Sequence, residues 1–278
     1  MRKRKKLYRN YSMTLNRDYH IHTKLCRHAS GEMHEYVEKA IEKGLMEIAF
    51  TDHIPLPDKF DAAHRMDEHE LEKYCSKIDS LKKTYKEVKI LRGIEADYYA
   101  GFEEYLNFTL RNFDFDLVIM SVHFIKGWPK NNWAFSYHFP DRSYSEIYRD
   151  YLNALSEGIK TELFDIVGHL DLIKSPEESL IKHTAHEVDE LLTLISSKRM
   201  AVEINTSGLR KQIEELFPHQ SIIEKLILNN IPLTFGSDAH QPEHVGFYFK
   251  ELSDYLGTFD KVKTATYDKR KLTIKEYL

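Results

Sequence analysis

Seven short apolar runs rich in β-branched residues recur along the chain, separated by stretches whose apolar positions repeat at helical spacing. The runs cover 18–23, 47–53, 89–98, 117–125, 164–172, 200–207 and 232–240. Between the first two, Val37, Ala40 and Ile41 mark a helix that Gly44 stops. Asp67 and Glu70 form a capping-box pattern ahead of a helix whose stripe is Leu71, Tyr74, Cys75, Ile78, Leu81 and Tyr85. A shorter helix is expected over 102–112. Ser143 with Glu146 opens another, carrying Ile147, Tyr151, Leu152 and Leu155. Ser175 to Glu178, with Pro176 at the first helical position, opens the next, and 221–229 supplies the last helix before the seventh run. Val262–Tyr277, turning near Asp268–Lys271, is expected to be a hairpin packed outside the body.

Strand–helix alternation predicts an α/β fold of βα units around a parallel sheet. Seven units without internal repeats or Gly/Ser linkers predict one closed or nearly closed barrel over 16–278, preceded by a basic tail over 1–15. An open doubly wound sheet is the alternative, but no glycine-rich phosphate loop follows any strand.

Composition narrows the function. No apolar run reaches the roughly 18–20 residues of a membrane span, and the basic N-terminus lacks the apolar stretch of a signal peptide. Setting aside Arg2, Lys3, Arg4, Lys5, Lys6 and Arg9 moves the net charge from −4 to −10, with 34 basic against 44 acidic residues. An acidic body argues against a nucleic-acid surface. Cys26 and Cys75 are the only cysteines, which suits a reduced, cytoplasmic setting. Cys75 falls on a helical stripe and reads as core.

The candidate chemistry lies at the ends of the runs. They finish in His20 and His22, Thr51 and His53, Glu95 and Asp97, His123, His169 and Asp171, Asn205 and Ser207, and Asp238 and His240. Each pair is spaced i, i+2, which on a strand puts both side chains on one face. In a parallel barrel the C-terminal strand ends surround one mouth, so these groups should converge. Crowding so many polar groups together costs roughly several kcal/mol per unpaired ion. Nearby basic residues are too few to neutralise them, whereas divalent cations would. Imidazoles with carboxylates suit Zn, Fe or Mn, and the number of ligands implies two or three ions. A carboxylate such as Glu95 or Asp238 can bridge ions roughly 3.5–4 Å apart, an arrangement that hydrolyses phosphate esters or amides.

With these residues in view, the chain resembles the polymerase-and-histidinol-phosphatase (PHP) family, in particular its histidinol-phosphatase branch. The matching motifs are His20-Ile21-His22, Thr51-Asp52-His53, Gly93-Ile94-Glu95, Ser121-Val122-His123, Gly168-His169, Glu203 to Arg210, and Gly236-Ser237-Asp238-Ala239-His240. The resemblance implies a distorted (β/α)7 TIM-like barrel with a trinuclear centre. It further implies hydrolysis of L-histidinol phosphate to L-histidinol and phosphate, a step of histidine biosynthesis. Carried over, His20, His22, Glu95 and Asp238 hold one ion, and Glu95 bridges to a second held by His123 and His169. The third takes His28, His53 and His240. Spacing alone does not select His28, which follows the first strand. The family pattern leaves Cys26 as a bystander. Asp52 should point away from His53, in a structural role or hydrogen-bonded to a ligand.

Two further residues are expected in the chemistry. Arg210, just beyond the sixth run, offers a guanidinium fork matched to phosphate oxygens. Asp171, on the face of His169, is the expected proton donor to the leaving group, with a hydrogen bond to a ligand histidine as its other reading. Trp128, Trp133 and Phe135 in the 126–142 insertion favour a small aromatic or amine-bearing phosphate, and loop packing would explain them equally. Competing readings are an amidohydrolase-like deaminase or amidase, a phosphoesterase for another small ester, and a metal-binding module without turnover. Asp114-Phe115-Asp116 resembles an aspartyl-phosphate motif but precedes its apolar run instead of following it.

Overall fold

The seven apolar runs fold as parallel strands in chain order, and the computed structural model describes residues 14–129, 133–176 and 178–277. The strands are β1 (Arg17–Ile21), β2 (Glu47–Phe50), β3 (Lys89–Asp97), β4 (Leu117–Ser121), β5 (Ile166–Val167), β6 (Ala201–Asn205) and β7 (Leu233–Gly236). Six helices connect them: α1 (Met33–Glu42), α2 (Leu71–Thr84), α3 (Glu103–Asn112), α4 (Tyr144–Lys160), α5 (Leu180–Ser197) and α6 (Gln220–Leu228). After β7, α7 (Phe249–Leu256) leads to the antiparallel pair β8 (Val262–Asp268) and β9 (Lys271–Tyr277). None of these helices is long and apolar enough to cross a membrane among the described residues.

Alternation along the strands divides the core in two. Tyr19, Ala49, Leu91, Ile119, Ile166 and Ala201 come from six successive strands and form one buried cluster inside the curl of the sheet. Ala265 and Tyr267 of β8 join it, and the Tyr267 hydroxyl donates to the Asp165 carbonyl at 3.0 Å. The neighbouring strand residues, among them Ile48, Phe50, Ile94, Val118 and Val202, face the helices and form the larger cluster with Tyr36, Tyr74, Tyr148 and Tyr151. Period-two patterning therefore appears as two packed layers, with the polar ends of the strands left at one rim.

At its start β7 pairs with β8 through Leu233 and Thr264. Beyond its end, Ala239 bridges to Ile21 of β1. There the His22 amide donates to the Ala239 carbonyl at 2.9 Å, and the Ala239 amide to the His20 carbonyl at 3.2 Å. One strand thus serves two neighbours at opposite ends, which skews the sheet and sets the His20–His22 pair beside Asp238.

Several sequence expectations need correction. Most strands are shorter than their apolar runs, so His22, His53, His123, His169, Asp238 and His240 lie just past them in irregular backbone. The capping box at Ser143 and Glu146 forms as expected. The helix expected from Ser175 begins at Leu180 instead, and Glu178 pairs with Lys182 and His183, each at 2.9 Å. The hairpin is part of the sheet and of its interior, not an external appendage. α7 was not expected. Asp116 lies at the opposite rim, at the start of β4, where it accepts from the Arg92 amide at 2.8 Å and Lys82 at 2.9 Å. Most of the basic tail lies outside the described residues.

Gly236 ends β7 at a place where no side chain fits. A Cβ there would stand 2.0 Å from Glu203 Oε1 and 2.6 Å from the His20 Cβ. Gly236→Ala should destabilise the protein by about 1–3 kcal/mol, the usual range for overpacking. Urea denaturation checks this by a lower midpoint at unchanged slope.

Candidate metal centre

Glu95, on β3 and 1 % exposed, stands at the middle of the rim. Around its carboxylate come His53 Nδ1 at 2.8 Å, His169 Nε2 at 3.0 Å, His20 Nε2 at 3.4 Å, His22 Nε2 at 3.5 Å and His123 Nε2 at 4.0 Å. Asp238 closes the other side, its Oδ1 3.2 Å from His22 Nε2 and 3.9 Å from His20 Nε2. Ser207 Oγ donates to Asp238 Oδ2 at 3.0 Å. Asp238 takes φ +52, a left-handed conformation that aspartate tolerates better than most residues, and this turns its carboxylate inward.

The outer nitrogens of several rings are already committed. His20 Nδ1 meets Glu203 Oε1 at 2.7 Å, and His123 Nδ1 meets Asp97 Oδ1 at 2.7 Å. His22 Nδ1 faces Asp52 Oδ1 at 3.4 Å. His28 Nδ1 lies 2.6 Å from the Cys26 carbonyl, and His240 Nδ1 lies 3.0 Å from the Asp238 carbonyl. Carboxylates and carbonyls only accept, so the Nδ1 atoms of His20, His123, His28 and His240 carry a proton, and with the ring neutral each would turn an Nε2 lone pair inward. Those lone pairs then face anionic oxygens or one another. His28 Nε2 and His240 Nε2 are only 2.9 Å apart. His20 Nε2, His53 Nδ1, His169 Nδ1 and Glu95 Oε2 are buried with no hydrogen-bond partner among the described residues. Lone pairs crowded on carboxylates are what cations require, so the donor set fits divalent ions.

The buried carboxylates call for positive charge here. Against burial, His20 is raised well above its ordinary value by Glu203, Glu95 and Asp238, and His22 by Asp238 and Asp52, a charge that bound cations would supply in place of protons. Burial works to raise Glu95, but the neighbouring imidazoles of His53 and His20 and the bond to His169 hold it well below the ordinary carboxylate range. Asp238 is likewise held low against its burial by His20, His22 and His240. Burial lowers His53 to about 4, opposed by Glu95 and aided by His22, so its ring is neutral at pH 7. His240 is driven well below its ordinary value by burial and by His22.

All nine expected metal positions thus come together: His20, His22, His28, His53, Glu95, His123, His169, Asp238 and His240. Cys26 is nearer than expected. Its sulfur and the ligand atoms of His28 and His240 lie within 4.8 Å of one another, and the residue is buried. Asp52 accepts from the Thr23 amide at 3.1 Å and the His53 amide at 2.9 Å, a bracing role that matches expectation.

Two expected residues stand elsewhere. Asp171 does not face the cluster, because β5 ends at Val167 and the chain turns at His169, φ +21, which breaks the strand period. Its buried carboxylate accepts from the His219 amide at 2.7 Å and pairs with Lys174 at 3.4 Å, so it is withdrawn as proton donor. Arg210 lies behind Asp238, its Nη2 donating to the carbonyls of Ser237 at 2.7 Å and Asp238 at 3.1 Å, with the guanidinium 4.9 Å over the Phe247 ring. The cavity of about 540 Å³ in front of the histidines is lined instead by Lys211, with His64, Trp133, Phe135, Ser136 and Leu172. Trp128 is loop packing, donating to Asp150 at 2.9 Å against Phe139.

Sequence reasoning missed Glu203 and His64. Glu203 sits within a quoted motif, and its i−2 relation to Asn205 on β6 could have flagged it. It holds His20, the His169 amide at 3.0 Å and Asn205 at 3.1 Å. His64 lies in a loop with no periodicity to mark it.

Comparison with known proteins follows the same lines. The PHP domain model matches residues 18–207. A probable histidinol-phosphatase of Deinococcus radiodurans is 34% identical over 265 residues, covering 92% of this chain and 97% of its own length. The histidinol-phosphatase of Bacillus subtilis is 33% identical, covering 84% and 97%. Among solved structures, a histidinol phosphate phosphatase from Lactococcus lactis, complexed with Zn, L-histidinol and phosphate, superposes with a TM-score of 0.74 at 22% identity, covering 93% of this chain and 98% of that one. The putative histidinol phosphatase of Listeria monocytogenes gives 0.76 at 24%, covering 84% and 99%. At such identity the structural likeness speaks for the fold alone, an α/β fold on a nine-stranded, mostly parallel sheet. The sequence likeness, spanning nearly the whole length of its relatives, carries the conclusion: this chain belongs to the PHP domain family.

Proposed function

We propose that this protein is a metal-dependent phosphomonoesterase that hydrolyses L-histidinol phosphate to L-histidinol and inorganic phosphate. The observation that carries the reading is the set of inward lone pairs on buried carboxylates, above all the 2.9 Å approach of His28 Nε2 to His240 Nε2, which a cation relieves. The relatives named histidinol-phosphatase, and a neighbour crystallised with Zn, L-histidinol and phosphate, support the substrate.

Two or three ions of Zn, Fe or Mn fit the ligand chemistry. In this assignment His20, His22, Glu95 and Asp238 hold one, Glu95 with His123 and His169 a second, and His28, His53 and His240 a third. Such ions supply Lewis acidity toward the phosphoryl oxygens and a water ionised near neutral pH. The protein's own part is positioning. Glu203 and Asp97 fix the tautomer and direction of His20 and His123, each at 2.7 Å, and Asp52 faces His22. Lys211 contributes a positive charge to the cavity wall for a phosphate dianion, and Trp133 and Phe135, both 6.3 Å from the His123 ring, form an aromatic wall for the organic half. Arg210 acts through its bonds to the Ser237–Asp238 backbone and so positions Asp238.

Three outcomes are expected. Protein purified without chelator should contain more than one equivalent of Zn, Fe or Mn by elemental analysis, and chelation should lower Tm and abolish turnover together. A metal-free protein of full activity would overturn the reading. Purified holoenzyme should release phosphate from L-histidinol phosphate with a kcat/KM well above that for p-nitrophenyl phosphate, and the reverse order would remove histidinol phosphate as substrate. Arg210→Lys should weaken metal retention about 10–100-fold, as loss of a ligand's supporting partner does, and lower kcat with KM little changed. A raised KM at full metal occupancy would return the guanidinium to the phosphate itself.

A further inference from the structure

Seven histidines line the cavity in front of the centre, and among them only His64 has no place in the ligand assignment. It sits in the loop between β2 and α2, where its Nδ1 lies 2.7 Å from Asp61 Oδ1. Asp61 is itself fixed: Arg65 donates to its Oδ2 from Nε at 3.2 Å and Nη2 at 2.9 Å. Arg65 is 2 % exposed and also donates to Asp97 at 3.0 Å and to the Ile54 carbonyl at 3.0 Å. Asp97 in turn holds His123. The loop's backbone shows what this anchoring sustains. Asp58, Lys59 and Asp61 take φ of +56, +54 and +55, conformations that persist in non-glycine residues only when the surroundings impose them.

The consequence lies at the other ring nitrogen. An ionised carboxylate only accepts, so His64 Nδ1 carries the hydrogen toward Asp61, and Nε2 of the neutral ring is an acceptor. No described residue bonds to it. The ring is braced edge-on against Trp133, centroids 4.8 Å apart, with the side chain 44 % exposed. The cavity therefore joins a fixed acceptor, its ring 5.7 Å from that of His28, to an aromatic wall.

We propose that His64 selects the leaving group, its Nε2 accepting a hydrogen bond from an N–H of the organic half of the ester, so that phosphate esters of amino- or azole-bearing alcohols are preferred. The inference rests on the phosphomonoesterase reading and adds a specificity-determining residue to it. A site built to bond a substrate N–H discriminates against analogues without one, because an acceptor that the bound ester covers then goes unpaired.

The test is kcat/KM of the metal-loaded enzyme on four esters. These are L-histidinol phosphate, 2-amino-3-phenylpropyl phosphate, 3-(imidazol-4-yl)propyl phosphate and 3-phenylpropyl phosphate, the last with no N–H. At least one N–H-bearing ester should exceed 3-phenylpropyl phosphate by about tenfold or more in the wild type, and His64→Ala should bring that ratio within about threefold. His64→Gln, which restores a carbonyl acceptor, should recover part of the ratio. Calorimetric binding of L-histidinol should weaken by about tenfold in His64→Ala, while elemental analysis finds metal content as in the wild type. Equal loss on all four esters, with the ratio intact, would make His64 a general participant in turnover and overturn the proposal. Hydrolysis of L-histidinol phosphate with a ratio insensitive to His64 overturns the proposal alone. Failure to hydrolyse that ester, with a His64-dependent preference among the other three, overturns the histidinol reading alone. Hydrolysis of none of the four overturns both.

Discussion

The structure depends on one buried charge. Glu95 places its carboxylate at the rim of the sheet, out of water, with nitrogens of His20, His22, His53 and His169 within 3.5 Å. A lone buried carboxylate would be untenable, so the ring nitrogens around it must bring protons or share cations with it. Nor can the rings turn away. His20 is tied to Glu203 at its outer nitrogen, and His22 faces Asp52. The supporting acids are thus as much a part of the centre as the groups that face inward, because they decide which nitrogen carries the lone pair.

Backbone geometry serves that constraint. The chain beyond β7 hydrogen-bonds to β1, and Asp18 at the base of the first histidine pair accepts from the amides of Ser237 at 2.9 Å and Gly246 at 2.8 Å. These contacts lock the two ends of the strand series together where Asp238 must meet His20 and His22. The same approach leaves no room for a Cβ at position 236, between Glu203 and His20. Gly208 is under similar pressure, a Cβ there standing 2.1 Å from the Glu215 carbonyl.

Charges near the rim also serve as scaffold. Arg65 is buried between Asp61 and Asp97, and so connects the loop over the cavity to the acceptor behind His123. Arg210 commits its Nη2 to two carbonyls behind Asp238, and Asp171 bonds an amide and a lysine. Proximity along the chain to a ligand does not by itself bring a side chain into the cavity. A strand that ends one or two residues early redirects everything after it.

Strand order, the alternation of strand and helix, and the nine residues that converge at the rim were legible in the sequence because they depend on local period and on motif. Apolar runs must bury, and His, Glu and Asp at their ends have few other roles at such density. His28 was legible only through family resemblance, since no period links it to His22. What the sequence could not determine is direction beyond a strand's last residue. His169 at φ +21 ends the i, i+2 rule there, so Asp171 faces Lys174 and not the centre. Glu203, His64 and Lys211 acquire meaning only from partners far along the chain, His20, Trp133 and the cavity wall respectively. Local patterning determined which residues could hold ions. Packing between distant segments decided which atoms of those residues face inward, because a tautomer is set by the partner at the ring's other nitrogen, and that partner is chosen by the fold.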